Sequence, residues 1–177
     1  MKKPLLALGA LLACSSALAQ VYVGGSLGIT QQSPNCSGWS SCDKSDTGLK
    51  GYVGYKLSKE WALELAYTDF GSVGLRSGPA SGSYSASALS AGGAFFLPLA
   101  PKLTGIARFG LAAVDGDYSA PFGGGSESSI EPYIGVGAAY ALTPQLSLTG
   151  SFDYMSADYP RGSGSAILFG VGVSYAF

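Results

Sequence analysis

Apolar and polar residues alternate along repeated runs of about ten residues through most of this 177-residue chain. Alternation with a period of two is typical of β-strands that have one apolar face, and no stretch beyond residue 19 carries the apolar stripe of an amphipathic helix. We therefore predict an all-β protein, and tilted strands of this length suit the thickness of a bilayer. The predicted strands are 20–30, 47–57, 61–70, 84–97, 103–113, 130–142, 146–154 and 165–177.

The connections between these strands alternate between long and short. The long segments, rich in Gly, Ser, Pro and Asp, are 31–46, 71–83, 114–129 and 155–164. The short turns are 58–60, 98–102 and 143–145. Long loops at one rim and short turns at the other are typical of barrels that span an outer membrane. We predict an eight-stranded, antiparallel, up-and-down transmembrane β-barrel with its short turns on the periplasmic side.

The first residues have the composition of a secretion signal. Lys2 and Lys3 precede an apolar stretch at 5–13, and Ala17-Leu18-Ala19 is a small-x-small cleavage site. We predict a signal peptide at 1–19 and a barrel domain at 20–177. An alternative is that the stretch ending at Cys14 is a lipoprotein cleavage box, which would attach a lipid to that cysteine.

Either interpretation leaves Cys36 and Cys42 as the pair that can cross-link. Because disulfides persist in exported proteins, we predict a disulfide between them; two free thiols are the alternative. Trp39 lies inside this short ring. Tryptophan is frequent at interaction hot spots, so Trp39 is a candidate contact for a host or surface molecule. The alternative is that Trp39 caps the barrel mouth or lies near lipid headgroups.

Charged residues inside the strands fall on the face opposite to the apolar residues. We predict that this set points into the lumen: Lys50, Lys56, Glu64, Arg108, Glu131 and Asp153. A Lys or Arg on the lipid face at mid-bilayer would cost about 2 to 4 kcal/mol, which explains the placement. In one interpretation these charges cross-link a filled interior. In the other they form a narrow gated ion pore, in which Arg108 exchanges between Glu64 and Glu131.

Several functions are disfavoured by composition. The chain contains no His, so the usual base that activates a hydroxyl nucleophile is missing, and the sequence has no metal-ligand spacing. We predict no enzymatic activity, no cofactor and no metal. No basic stripe is present, so nucleic acid is not an expected partner. A soluble, lipocalin-like ligand carrier remains an alternative, because alternation alone does not tell which face meets water.

Four stretches carry a resemblance to a known family. They are 21–28 (VYVGGSLG), 63–71 (LELAYTDFG), 131–137 (EPYIGVG) together with 142–148 (LTPQLSL), and the terminal Tyr175-Ala176-Phe177. In order and spacing they resemble the small outer-membrane β-barrel family, similar to the transmembrane domain of outer-membrane protein A. The resemblance implies residence in a Gram-negative outer membrane, amid its lipid and lipopolysaccharide. It also implies that the barrel-assembly machinery reads Tyr175 and Phe177. We expect a monomer with a structural or adhesion-like surface-interaction role.

Overall fold

A computed structural model describes residues 20–32, 41–42, 45–77, 80–120, 123–159 and 162–177. The strands are β1 Val21–Gln32, β2 Ser41–Cys42, β3 Ser45–Lys56, β4 Trp61–Ser77, β5 Ala80–Ala100, β6 Leu103–Ala120, β7 Gly123–Ala141, β8 Leu146–Tyr159 and β9 Gly162–Ala176. The described residues contain no helix that is long and apolar enough to cross a membrane.

The eight long strands close into a barrel. Each of them pairs antiparallel with its neighbours along the chain, and β1 pairs with β9 to complete the circle. This confirms the predicted eight-stranded, antiparallel, up-and-down β-barrel. The two-residue strand β2 is an addition outside the ring, because it pairs only with the far end of β4, Cys42 opposite Leu75 and Ser41 opposite Arg76.

The strands are longer than the sequence indicated. The segments predicted as loops at 71–83, 114–129 and 155–164 are mostly strand in their described parts, and β5 reaches 21 residues. That part of the prediction is wrong for a physical reason. Outside a bilayer a strand needs no apolar face, so the alternation disappears from the Gly- and Ser-rich sequence while the backbone ladder continues. The barrel therefore carries tall β-hairpins at one end.

Tight turns close the other end. The Ser58 hydroxyl accepts hydrogen bonds from the backbone N–H of Glu60 (3.2 Å) and Trp61 (3.1 Å). In the same way the Thr143 hydroxyl accepts from the backbone N–H of Gln145 (3.3 Å) and Leu146 (2.9 Å). Ser and Thr favour turns because they satisfy nearby backbone donors in this way. We call this the turn end of the barrel and the opposite one the hairpin end.

The outer surface is apolar around the barrel. Val136, for example, is 58 % exposed and Leu65 is 47 % exposed. Aromatic side chains add to this surface, as in the Trp61 ring that lies 4.9 Å from Phe95 and 6.1 Å from Phe109 between ring centroids. A surface of this kind is stable against hydrocarbon rather than against water.

Two apolar clusters fill the lumen. The hairpin-end cluster consists of Phe70, Ala86, Ala88, Ala112, Val114, Tyr133, Met155, Ala166 and Leu168. The turn-end cluster consists of Tyr22, Tyr52, Ala62, Ala66 and Ala94, with Phe96 and Ala176 packed against it. An eight-stranded barrel is only wide enough to hold side chains, so two such layers close the interior at two levels.

Within the turn-end cluster two tyrosines lie over two glycines. Gly24 is the cross-strand partner of Tyr52, and Gly54 is the partner of Tyr22. A Cβ atom at either glycine would overlap the ring of its tyrosine. The two rings meet edge to face with centroids 6.2 Å apart. Only glycine leaves these inward positions open for the rings that fill the lumen.

We expect Gly54→Ala to lower the free energy of unfolding by about 1 to 3 kcal/mol, because the new methyl group displaces the Tyr22 ring from a filled interior. Gly51→Ala in the same strand is the matched control, since nothing lies within 4 Å of a Cβ at that position. Urea unfolding of both variants in lipid vesicles measures the difference. Equal stability of the two variants would mean that the rings are not held over the glycines.

Candidate functional site

A layer of buried charge lies between the two apolar clusters. Lys50, Glu64, Arg108 and Asp153 come from β3, β4, β6 and β8, and they are 1 %, 9 %, 6 % and 1 % exposed. Each follows the inward parity of its strand, which the apolar outward face imposes. Burial of a charge is costly unless the charge is paired and hydrogen-bonded, so the partners determine what this layer can do.

The first ion pair joins Lys50 to Asp153. Lys50 Nζ lies 2.7 Å from Asp153 Oδ1 and donates to the Tyr133 hydroxyl oxygen at 2.7 Å. The Tyr133 hydroxyl donates to Asp153 Oδ1 (2.6 Å), and the Ser151 hydroxyl donates to Asp153 Oδ2 (3.0 Å). Both carboxylate oxygens therefore accept hydrogen bonds. The pair is a closed structural unit that cross-links β3 to β8.

The second ion pair joins Arg108 to Glu64. Arg108 Nε lies 2.7 Å from Glu64 Oε1 and 3.1 Å from Oε2, and the Tyr22 hydroxyl donates to Oε2 at 2.9 Å. The Arg108 guanidinium also lies 5.1 Å from the centre of the Tyr52 ring, within the range of cation–π attraction. This pair ties β6, β4 and β1 together and connects the charged layer to the turn-end cluster.

Gly135 allows the two ion pairs to lie side by side. A Cβ at this inward position of β7 would come within 2.5 Å of Asp153 Oδ1, 3.1 Å of the Tyr133 hydroxyl oxygen and 3.5 Å of Arg108 Cβ. Any larger residue would push into the charged layer. The glycine is thus a packing requirement of the layer.

Two of the six charges predicted to face the lumen lie apart from this layer. Lys56 is at the turn end, half-exposed, with Nζ 5.8 Å from the centre of the Phe96 ring. Glu131 is half-buried on β7 opposite Ala112, towards the hairpin end. Among the described residues Arg108 forms its ion pair with Glu64 and none with Glu131.

Tyr22, Tyr133 and Ser151 complete the layer, although none of them was predicted from the sequence as a site residue. The signal was available for two of them, because Tyr133 shares the parity of Glu131 and Ser151 shares that of Asp153. Inward parity was therefore the signal that could have identified them.

The remaining sequence candidates lie at the two ends. Cys36 and Trp39 lie outside the described residues, and Cys42 is described only through its backbone in β2. At the turn end the Tyr175 and Phe177 rings are exposed and meet edge to face with centroids 5.2 Å apart.

The charged layer leaves almost no free space. A cavity of about 10 Å³ is bordered by Glu64, Arg108 and Tyr133, which is room for about one water molecule. No group of three or more His, Cys, Asp or Glu side chains in the described part of the chain is placed to hold a metal ion. The geometry is that of a filled, cross-linked interior.

Comparison with known proteins identifies the barrel type. The family model described as "Outer membrane protein beta-barrel domain" matches residues 5–177. No curated protein sequence matches the chain. Neisserial surface protein A is similar in structure, with a TM-score of 0.68 at 15% identity over 89% of this chain and 97% of that one.

Two further solved barrels share the fold. The N-terminal β-barrel domain of Pseudomonas aeruginosa OprF has a TM-score of 0.59 at 18% identity, covering 89% of this chain and 98% of that chain. Ail, the attachment invasion locus protein of Yersinia pestis, has a TM-score of 0.58 at 14% identity, covering 88% of this chain and 97% of that chain. At these identities the likeness concerns the fold alone.

The family match decides between the membrane barrel and the soluble carrier. The apolar outer surface faces membrane lipid, and the soluble lipocalin-like alternative is wrong. In barrels of this type the short turns lie in the periplasm and the long connections lie outside the cell. The chain belongs to the outer membrane protein β-barrel family and is an integral protein of the Gram-negative outer membrane.

Proposed function

We propose that this protein is a closed barrel that acts at the cell surface, in a structural or adhesion-like role, through its extracellular hairpins. The observation that carries the proposal is the filling of the lumen, where an apolar cluster lies on each side of the charged layer. A barrel closed in this way exposes variable chemistry only at its ends. The tall hairpins form most of the extracellular end.

The pairing and hydrogen bonding of the buried charges support a structural role for the lumen. In both ion pairs the carboxylate accepts a second or third hydrogen bond from a hydroxyl group. Removing one partner of such a pair is costly, so the pairs hold the strands together. The narrow gated pore would require Arg108 to leave Glu64 and reach Glu131, which is opposite Ala112 of the hairpin-end cluster. We therefore rank the pore second.

The charge of the extracellular end indicates the kind of surface partner. The segments 31–48, 69–87, 113–131 and 155–165 together hold eight Asp and Glu but three Lys and Arg residues. A structure of Ail contains the heparin analogue sucrose octasulfate, a polyanion. An acidic end would repel such a ligand, so we propose that this barrel prefers polar or cationic partners.

The other proposed contacts follow from the outer surface. The barrel is surrounded by membrane lipid and, in the outer leaflet, by lipopolysaccharide. Exposed Tyr175 and Phe177 at the end of β9 are the proposed signal for the barrel-assembly machinery. A disulfide between Cys36 and Cys42, with Trp39 as a contact, remains a prediction for the first extracellular segment. We further propose that the protein is monomeric. Because the chain lacks His, we also propose that it has no enzymatic activity.

Recording from the refolded barrel in a planar lipid bilayer tests the closed lumen. We expect no discrete conductance from the native chain. We also expect none from Arg108→Ala, because removal of this one side chain leaves both apolar clusters in place. Discrete openings in the native chain that change with Arg108→Ala would favour the gated pore and overturn the proposal.

A further inference from the structure

The extracellular half of β7 pairs on one side only. β6 pairs with β7 without interruption, from Ala120 opposite Gly123 down to Leu103 opposite Tyr140. β8 pairs with β7 only between Tyr133 and Ala141. Residues 123–132 of β7 therefore have no strand partner on the β8 side among the described residues. At the usual rise per residue this free edge is about 30 Å long.

The point where the edge begins has a chemical cause. Pro132 lacks a backbone N–H and stands directly before Tyr133, the first residue of β7 that pairs with β8. Proline in a strand commonly marks the end of a ladder. Beyond Met155, β8 follows β9 alone, up to Tyr159 opposite Gly162. The two hairpins diverge here and leave β7 at the border of a protruding sheet formed by β4, β5, β6 and β7.

The opposite border of this sheet is covered by the chain itself. The two residues of β2 pair with the extracellular end of β4 at Leu75 and Arg76. Closer to the barrel, Asp46 Oδ2 accepts a hydrogen bond from the backbone N–H of Ser72 at 2.6 Å. The sheet thus has one covered edge and, within the described residues, one open edge.

The open edge lacks the usual protection. Exposed strand edges are normally blocked by proline, lysine or a β-bulge. Residues 123–131 contain neither Pro nor Lys, and their register with β6 is continuous; their two charged residues, Glu127 and Glu131, are both acidic and do not oppose a basic strand. Gly123, Gly124 and Gly125 carry no side chain that would hinder an approaching backbone. The edge is therefore open to another strand.

This edge lies outside the hydrocarbon. Outward positions on four adjacent strands change to polar residues at one level, where Asp69 is opposite Ser87, Ser87 opposite Asp115, and Asp115 opposite Ser128. Asp69, Asp115 and Ser128 are exposed. Unpaired backbone groups are not tolerated against lipid, but above this polar row they can face water or a partner.

We propose that residues 123–131 bind an extended, basic segment of another protein as an additional β-strand. The inference rests on the proposed surface role and names the partner of that role. Main-chain hydrogen bonds would supply affinity, as in other cases of strand addition. Acidic side chains beside the edge favour a basic partner, because Asp115 and Asp117 are exposed on the neighbouring strand β6. A second copy would bring the same acidic residues together, so like-charge repulsion disfavours self-pairing.

Amide hydrogen exchange of the full barrel in lipid nanodiscs tests the proposal. The probe is a synthetic peptide of about twelve residues in which Lys and Thr alternate, long enough to span the edge. We expect saturating peptide to slow exchange by about tenfold or more at the alternate residues of 123–131 whose N–H points away from β6, because these free amides become paired. We expect Asp115→Asn combined with Asp117→Asn to weaken binding by about tenfold at low salt, whereas Glu60→Gln at the turn end leaves it unchanged.

A peptide of the same sequence with every peptide nitrogen methylated is the control for charge alone, since it keeps the lysines but cannot donate backbone hydrogen bonds. Equal affinity of the two peptides, or no protection of residues 123–131, would overturn the strand-addition proposal. Failure of the proposed function is distinguishable, because it would appear as conductance. A barrel that does not conduct, and whose residues 123–131 gain no protection from exchange, would contradict only the strand-addition proposal. A barrel that conducts, and whose residues 123–131 are protected by the peptide, would contradict only the closed lumen.

Discussion

Replacing Asp153 with alanine should lower the free energy of unfolding of the barrel by about 3 to 5 kcal/mol. The Lys50 ammonium would remain in the lumen at 1 % exposure with only the Tyr133 hydroxyl as a hydrogen-bond partner. Breaking a buried pair is expensive because the remaining charge has lost both its counterion and its water. This free-energy cost arises within the charged layer, so we expect the contacts of the outer surface with lipid to be unchanged.

Urea unfolding of the barrel in lipid vesicles, followed by tryptophan fluorescence, measures this cost. Ser151→Ala is the matched control, since it removes one hydrogen bond to the same carboxylate, leaves the ion pair in place and should cost about 1.5 to 3 kcal/mol. Lys50→Met combined with Asp153→Leu should recover most of the loss, because it removes both charges and keeps the volume. A loss below about 1 kcal/mol for Asp153→Ala would contradict a tightly paired layer.

The sequence predicted which face of each strand is buried, and it did not predict the partners. Period-two alternation assigns Lys50 and Arg108 to the interior because hydrocarbon excludes them from the other face. Partner choice depends on the stagger of the strands and on distances across the lumen. Lys50 and Asp153 are 103 positions apart, and no local pattern connects them. The hypothesis that Arg108 exchanges between two carboxylates did not include the Tyr22 hydroxyl, which donates a hydrogen bond to Glu64.

Strand ends were the other limit of prediction. Inside the bilayer the apolar face of each strand marks its extent, and the predicted turns at 58–60 and 143–145 lie within or next to the observed connections. Outside the bilayer both faces meet water, so Gly- and Ser-rich sequence such as that of 123–129 looks like a loop although its backbone follows β6 throughout. The open edge of β7 was hidden from the sequence for the same reason.

The second large effect concerns the outer surface. Val136 is outward on β7, 58 % exposed, between Ile134 and Tyr140 on the same face. If hydrocarbon surrounds this level, Val136→Arg should cost about 2 to 4 kcal/mol, because the guanidinium must be moved out of water at mid-bilayer. The same substitution at Leu142, which is 51 % exposed in a periplasmic turn, should cost about 0 to 1 kcal/mol because it stays at the interface.

The difference in unfolding free energy between Val136→Arg and Leu142→Arg, measured by urea unfolding in vesicles, is the most direct test of the claim that lipid surrounds the barrel at its waist. We expect Val136→Arg to be the less stable variant by about 2 kcal/mol or more. Equal stability of the two variants would mean that water reaches the outer surface at Val136, and it would contradict the membrane-spanning arrangement on which the closed lumen and the extracellular edge depend.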